Sequence, residues 1–454
     1  MKKIEQRVRL CTFILLAFVG GIIFFLTRYA KEADNWYIQS FNKHLYSASG
    51  ELLQGTMTDR NGLLLSTVRD NIRVYSYRPE IRIATLHTIG DAKNKISTGA
   101  LNNLRSHLVT YSKKEGAATD TPGNTVILSL DAEACVTAHK ALGDAVGCVG
   151  VYNYRTGEIL VLVSTPSYDP ENIPEDLESN EAYQGVYVNR FFHSTFTPGS
   201  VFKTITLQAA IEQLPGAAER TYLCEESVKI GDNYVTCTKA HGEQTLKEAF
   251  ANSCNCAFAT LASELGGDVL SAYTRKAGLM NPYRIHGFFN ARGSFELASA
   301  STYQLGWAGV GLYHDLVNPC SLMIYFGALA NEGRAAIPSY LKEVRNPDGQ
   351  VIYSPEVLLS EELVDGGTAR VLKNYLKNNV QSIYGAERFP ALSIGAKSGT
   401  IEQKTGLSNC WFAGFIDSDE YPYAFVVFME QAGSGSRVAG TVAADVLKAL
   451  IPLP

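Results

Sequence analysis

The sequence carries no excess of basic charge. Its 40 Lys and Arg stand against 45 Asp and Glu, a formal net charge of −5, which excludes the electrostatic footprint of a nucleic-acid binder. Cysteine is scarce and scattered, nine in 454 residues. That excludes a dense disulfide framework, and no Cys/His set along the chain has zinc spacing. Nothing in the sequence points to a bound metal or a cofactor. Low-complexity tracts and internal repeats are absent, which excludes disordered, fibrous and solenoid architectures. What remains is 46% hydrophobic and 19% charged, an ordinary globular composition long enough for two or three domains.

Long apolar runs are also missing, except one. Residues 10–26 (LCTFILLAFVGGIIFFL) contain no charge, and as a helix they reach about 26 Å, close to a hydrocarbon core of ~30 Å. Lys2, Lys3, Arg7 and Arg9 precede the run against a single Glu5, whereas Arg28 and Lys31 after it are offset by Glu32 and Asp34. The positive-inside bias predicts a cytoplasmic tail over 1–9, a single-pass anchor over 10–27 and everything later outside the cytoplasm. A cleaved signal peptide is the alternative, but LTRYAKEA offers no clean cleavage site. Outside the cytoplasm disulfides persist. Cys224 and Cys237, which bracket a hairpin pattern (VKIGDNYV), are then either a bonded pair or two separate buried thiols.

Beyond the anchor, residues 28–124 are mixed and polar and predict a small separate module. From residue 125 the texture changes. A strand is expected over 126–130, a helix from Asp131 to Gly143, and a hairpin over 148–164 turning at Arg155-Thr156-Gly157. The middle is helical, with segments at 200–214 and 257–265 and a capping-box start at Thr245-Leu246-Lys247-Glu248. Strands follow at 391–401, 409–416 and 421–430, then a closing helix over 436–450. Strands at both ends with helices between predict one α+β domain, 125–454, whose terminal segments meet in a single antiparallel sheet.

Three motifs occur in order within that domain. Ser200-Val201-Phe202-Lys203 opens a helix, Ser253-Cys254-Asn255 lies between two helices, and Lys397-Ser398-Gly399-Thr400 lies on the apolar strand LSIGAKSGTIE. Each alone is weak, because average Ser and Lys usage gives about one or two chance S-x-x-K matches in such a chain. Ser40-to-Lys43 and Ser339-to-Lys342 are such matches, Ser40-Phe41-Asn42 imitates the second motif, and Lys404-Thr405-Gly406 imitates the third. None of these decoys has the expected helix or strand context, so Ser200 and Lys397 are preferred.

The chemistry accounts for the residue types. A serine hydroxyl needs a base to become a nucleophile, and on a helix Lys203 shares a face with Ser200. A lysine is a base only when neutral, and both burial and a second cation, Lys397, favour that form. Ser253 is placed to relay protons, and Asn255 offers a donor and an acceptor to a substrate amide. The 397–400 strand can pair with an extended peptide, and the N–H groups of Ser200 and Thr400 can form an oxyanion hole. The lysine charge at 397 also attracts a carboxylate.

With these motifs the chain resembles the class B penicillin-binding proteins. Residues 55–62 (GTMTDRNG), Thr156-Gly157-Glu158-Ile159-Leu160, Pro166-Ser167-Tyr168-Asp169-Pro170, His241-Gly242 and Trp411-Phe412 extend the likeness. The resemblance implies a transpeptidase domain with a five-stranded antiparallel sheet flanked by helices, and a D,D-transpeptidase acting on peptidoglycan stem peptides that end in D-Ala-D-Ala. It further implies Ser200 as nucleophile with Lys203, Ser253 and Lys397, substrate contacts from Asn255, Ser398, Gly399 and Thr400, and acylation by β-lactams. A partner glycosyltransferase in the membrane is expected, because residues 28–124 are too few to hold such a domain. One departure is visible: Gly309-Val310-Gly311-Leu312 stands where the family often has Gly-x-Gly-Gln. A carboxypeptidase or β-lactamase would differ only in using water to resolve the acyl-enzyme, and a non-catalytic penicillin sensor or divisome scaffold would keep the fold alone.

Overall fold

The computed structural model describes residues 1–38, 42–48, 50–112, 116–117, 121–403 and 406–452. Ser40 and Lys404, which between them head three of the decoy motifs, lie outside the described residues. Two widely separated parts of the chain build one five-stranded antiparallel sheet. Its order is Ile394–Glu402, Ser408–Ile416, Tyr423–Met429, Gly147–Asn153, Ile159–Thr165. The last two strands are GCVGVYN and ILVLVST and are buried at almost every position. Such continuous apolar runs suit strands covered by helices. Helix Pro319–Ala330, buried throughout, packs on Tyr423–Met429 and Ser408–Ile416, while Ala132–Leu142 and Gly440–Leu450 pack against each other and the sheet.

The ends of these elements follow local chemistry. Asp131 accepts from the Ala134 N–H as the predicted N-cap, and Thr245 with Glu248 forms the predicted capping box. The predicted 200–214 helix begins instead with a 3₁₀ turn, Gly199–Phe202, before Lys203–Gln213. The 257–265 helix runs further than expected, as Asn255–Lys276. At Gly266 (φ +77°) the helix kinks, and it then resumes because Leu270 and Tyr273 still bury apolar side chains. A π turn, Gly435–Ala439, precedes the closing helix.

A second, six-stranded sheet runs Val351–Tyr353, Leu341–Arg345, Thr125–Leu128, Thr56–Thr58, Leu64–Arg69, Ile72–Tyr75. It takes strands from both sides of residue 125, with Thr125–Leu128 parallel to Thr56–Thr58 and antiparallel to Leu341–Arg345. Ahead of both sheets stands helix Lys2–Trp36. Its apolar stretch, Lys2–Tyr29, is long enough to cross a membrane, and none of its most apolar window is buried against the rest of the protein. The span predicted over 10–27 falls inside it.

Candidate active site

Ser200 sits in the turn Gly199–Phe202, between the end of a tight loop and the helix that carries Lys203. Two neighbours hold that loop. The Trp411 indole donates to the Thr197 carbonyl at 2.9 Å, and the Gly199 N–H donates to the Gly311 carbonyl at 2.9 Å. Gly199 has φ +54° and lies against Ile401, where a Cβ would come within 2.8 Å of the isoleucine side chain. Glycine is therefore required immediately before the serine. Gly311 belongs to the Gly309-Val310-Gly311-Leu312 segment, so that segment braces the serine turn through its backbone. Leu312 itself caps the end of helix Thr302–Val310, its N–H bonded to the Trp307 carbonyl.

The three motifs converge on Lys203. Its Nζ lies 3.1 Å from Ser200 Oγ, 3.3 Å from Ser253 Oγ, 2.6 Å from the Ser253 carbonyl and 2.7 Å from Asn255 Oδ1. Lys397 Nζ donates to Ser253 Oγ at 3.0 Å and to the Ser398 carbonyl at 3.2 Å. A continuous chain thus runs Ser200, Lys203, Ser253, Lys397. Both lysines are fully buried, at 0% exposure, and each ammonium lies over an aromatic ring, Phe258 for Lys203 and Phe250 for Lys397.

Burial lowers Lys203 to about 8 and pushes Lys397 well below its ordinary value, with the charge on Lys203 pushing it further. The sequence reading has Lys397 charged and Lys203 neutral because of it. The structure reverses that order: burial lowers Lys203, and the charge on Lys203 helps to depress Lys397, so a single proton on the pair is favoured over two.

Ser253 occupies the left-handed region at φ +54°, a conformation that costs a serine free energy and persists only where neighbours enforce it. Asn255 starts helix Asn255–Lys276. Its Oδ1 accepts from Lys203 and its Nδ2 donates to the Thr236 carbonyl at 3.0 Å. The expected two-handed grip on a substrate amide is therefore reduced to one remaining hydrogen and one remaining lone pair. Lys397-Ser398-Gly399-Thr400 lies on the edge strand of the five-stranded sheet, beside the serine turn. At Gly399 a Cβ would approach the Pro198 carbonyl to 2.8 Å. Thr400 is exposed and its Oγ1 accepts from the Gly435 N–H at 3.1 Å.

Sequence reasoning misses Tyr384. Its buried hydroxyl lies 3.0 Å from Ser398 Oγ and accepts from the Ser398 N–H at 3.0 Å, fixing the motif strand from a π turn, Val380–Tyr384. No local pattern marks it. Ser339, the described decoy serine, starts no helix and hydrogen-bonds to His286 and to the Leu341 carbonyl.

The cysteines bear on the pairing expected at 224 and 237. All nine are free thiols, so Cys224 and Cys237 are not a disulfide. Yet they are not separate either. With His241 and Cys254 they form a cluster in which all four ligand atoms lie within 4.8 Å of one another. No local spacing shows this set, because the four residues sit at the ends of four elements, with 12, 3 and 12 residues between them along the chain, and only the fold brings them together.

Residues 147–449 match the family described as penicillin binding protein transpeptidase domain. The peptidoglycan D,D-transpeptidase PbpA of Mycolicibacterium smegmatis is 28% identical over 334 residues, which cover 68% of this chain and 67% of that one. Stage V sporulation protein D of Bacillus subtilis is 27% identical over 308 residues, 65% of this chain and 47% of that one. Among solved structures, PBPA from Mycobacterium tuberculosis superposes with a TM-score of 0.75 at 22% identity, covering 88% of this chain and all of that one. Its penicillin G acyl-enzyme complex gives 0.74 at the same identity, with the same shares of the two chains covered.

Proposed function

The chain belongs to the penicillin-binding protein transpeptidase family, and on that premise we propose that it is a membrane-anchored D,D-transpeptidase that cross-links peptidoglycan stem peptides through an acyl-enzyme on Ser200. The observation that carries this reading is the buried Lys203 Nζ, 3.1 Å from Ser200 Oγ and joined through Ser253 to Lys397. The names of the relatives, peptidoglycan D,D-transpeptidases among them, support the substrate class.

In this reading neutral Lys203 takes the Ser200 proton as Oγ attacks the carbonyl carbon of the penultimate D-Ala. The N–H groups of Ser200 and Thr400 receive the developing oxyanion. The amide C–N bond breaks, the proton returns through Ser253 to the departing nitrogen, and the terminal D-Ala leaves. An amine from a neighbouring stem then attacks the ester, gives its proton to Lys203 and forms the new amide, and Ser200 regains its hydrogen. The cation shared by Lys203 and Lys397 attracts the carboxylate of the terminal D-Ala, with Ser398 and Thr400 beside it. A β-lactam enters by the same attack, its ring amide in place of the D-Ala-D-Ala bond. Asn255 uses its remaining hydrogen and lone pair on the peptide backbone.

The apolar helix, with its basic N-terminal flank, supports an uncleaved anchor with residues 1–9 cytoplasmic and the catalytic part outside. A transpeptidase held there works on strands that a membrane glycosyltransferase polymerises, which makes such an enzyme the natural partner. Two measurements test the reading. Intact mass after penicillin treatment should show one adduct, located on Ser200 and absent from Ser200→Ala. Incubation with a stem pentapeptide and an acceptor amine should yield cross-linked product in excess of free tetrapeptide. Hydrolysis without cross-linking would make the protein a carboxypeptidase, and the absence of any adduct would remove the enzyme assignment.

A further inference from the structure

The cluster of Cys224, Cys237, His241 and Cys254 has no part in the acyl-transfer chemistry, yet it adjoins it. Cys224 ends strand Thr221–Cys224, Cys237 follows the hairpin strand Asn233–Thr236, His241 precedes strand Gly242–Thr245, and Cys254 is the residue before helix Asn255–Lys276. His241 Nδ1 lies 3.4 Å from Cys224 Sγ and 3.6 Å from Cys237 Sγ. Tetrahedral zinc with Zn–S near 2.3 Å and Zn–N near 2.05 Å requires an S···N edge of about 3.6 Å. Both edges lie close to it.

We propose that Cys224, Cys237, His241 and Cys254 bind one zinc ion, which ties the Ser253-Cys254-Asn255 motif to the hairpin beside it. Three sulfurs and an imidazole suit zinc and exclude magnesium and calcium, which require oxygen ligands. Four protein ligands close the coordination shell, so the ion has a structural role and leaves no open position for a water nucleophile. On binding, each thiol releases its proton to solvent. Cys224 and Cys254 are buried, whereas Cys237 and His241 are half-buried, which leaves one side of the site accessible for loading.

The ion would do positioning work. Cys254 is the central residue of the second motif, flanked by Ser253 in its left-handed conformation and by Asn255. Cys237 Sγ already accepts the Asn255 N–H at 3.3 Å, so a metal holding both sulfurs fixes the backbone on either side of the proton relay. Cys256 is also buried nearby and its sulfur lies beside those of Cys237, Cys254 and Cys224, but it is outside the set of four whose ligand atoms all lie within 4.8 Å of one another, and it is assigned no bond to the metal.

The test uses the full chain in mild detergent, purified without chelator or a metal-affinity tag. About one zinc per chain should be found by elemental analysis. A chelator should release it and make the cluster's three thiols newly reactive. The reduced apoprotein should take up one Co²⁺ and show the visible absorption of a tetrahedral thiolate site. His241→Ala should weaken zinc binding at least about tenfold, and Cys256→Ser should leave it unchanged. Removing zinc should slow penicillin acylation at least about tenfold, with recovery on adding zinc back. The proposal is overturned if the wild-type apoprotein takes up no Co²⁺, or if mass analysis of the native protein finds a Cys224–Cys237 disulfide. Unchanged acylation after zinc removal overturns the positioning role. Metal binding is read without reference to Ser200, so a metal-loaded protein that penicillin does not label would sink the transpeptidase reading and leave the zinc site standing.

Discussion

Lys203 carries the largest consequence at the scale of single residues. Its burial lowers it to about 8, so at pH 7 roughly a tenth of the molecules hold the neutral base. Acylation needs that form. The second-order rate of penicillin acylation should therefore rise with pH through a midpoint near 8 and level above it, as stopped-flow with a chromogenic cephalosporin can measure. A rate that falls across this range would exclude Lys203 as the base. Lys397 sets the second residue-scale prediction. Burial lowers Lys203, and Lys397 is the group that the other's charge depresses, so Lys397→Ala should leave the midpoint near 8. It should also cut the plateau rate by about 10²-fold or more. A variant that merely loosened the fold would hydrate Lys203 and raise the midpoint, so the two measurements separate a catalytic role from a structural one. Tyr384→Phe removes the hydroxyl that holds Ser398. Without that restraint, acylation should drop several-fold at an unchanged midpoint.

Among the elements, the edge strand Ile394–Glu402 and the serine turn Gly199–Phe202 must approach closely for the motifs to meet. Gly399 marks the contact. An alanine there places its Cβ 2.8 Å from the Pro198 carbonyl and 3.3 Å from Trp411, and backbone on one side with a buried indole on the other leaves it no room to move. Gly399→Ala should thus separate strand from turn and lower acylation at least tenfold, while circular dichroism stays that of the parent. A near-parental rate would show that the strand and turn can separate without harm. The sequence alone announces much at this scale. The Asp131 cap, the Thr245 capping box and the apolar runs on either side of Arg155-Thr156-Gly157 all lie within a few residues of the elements they begin or join. The 3₁₀ turn at Gly199–Phe202 and the helix that continues past Gly266 were not legible, because contacts with distant residues, Ile401 and Gly311 in the first case, settle them.

The two sheets divide the whole molecule. The five-stranded sheet takes in residues 147–165 and 394–429, and the six-stranded sheet takes in 56–75, 125–128 and 341–353. Residues 56–75 supply three of the latter's strands, and with them the buried Met57 and Leu65. Deleting residues 1–77 should leave strand Thr125–Leu128 with an open edge and an uncovered apolar face. The product should aggregate or fail to accumulate, as size exclusion would show. Deleting residues 1–36 removes only the apolar helix. That chain should stay in the soluble fraction and retain penicillin acylation. A soluble, acylable chain from the longer deletion would show that the transpeptidase region folds without those strands.

By itself the sequence determined the apolar helix, the order of helices and strands, and the identity of Ser200, Lys203, Ser253, Asn255 and Lys397 as candidates. Those features are written in local periodicity, in capping residues and in spacings along one helix or one strand. Tertiary structure alone decided that both lysines are buried at a shared serine and that Tyr384 holds Ser398. It also decided that Asn255 has half its hydrogen-bonding capacity engaged and that four scattered Cys and His residues meet. Each depends on side chains that lie far apart along the chain. Their distances, and the desolvation that sets the charge of the lysines, come into being only when the helices close on the sheet.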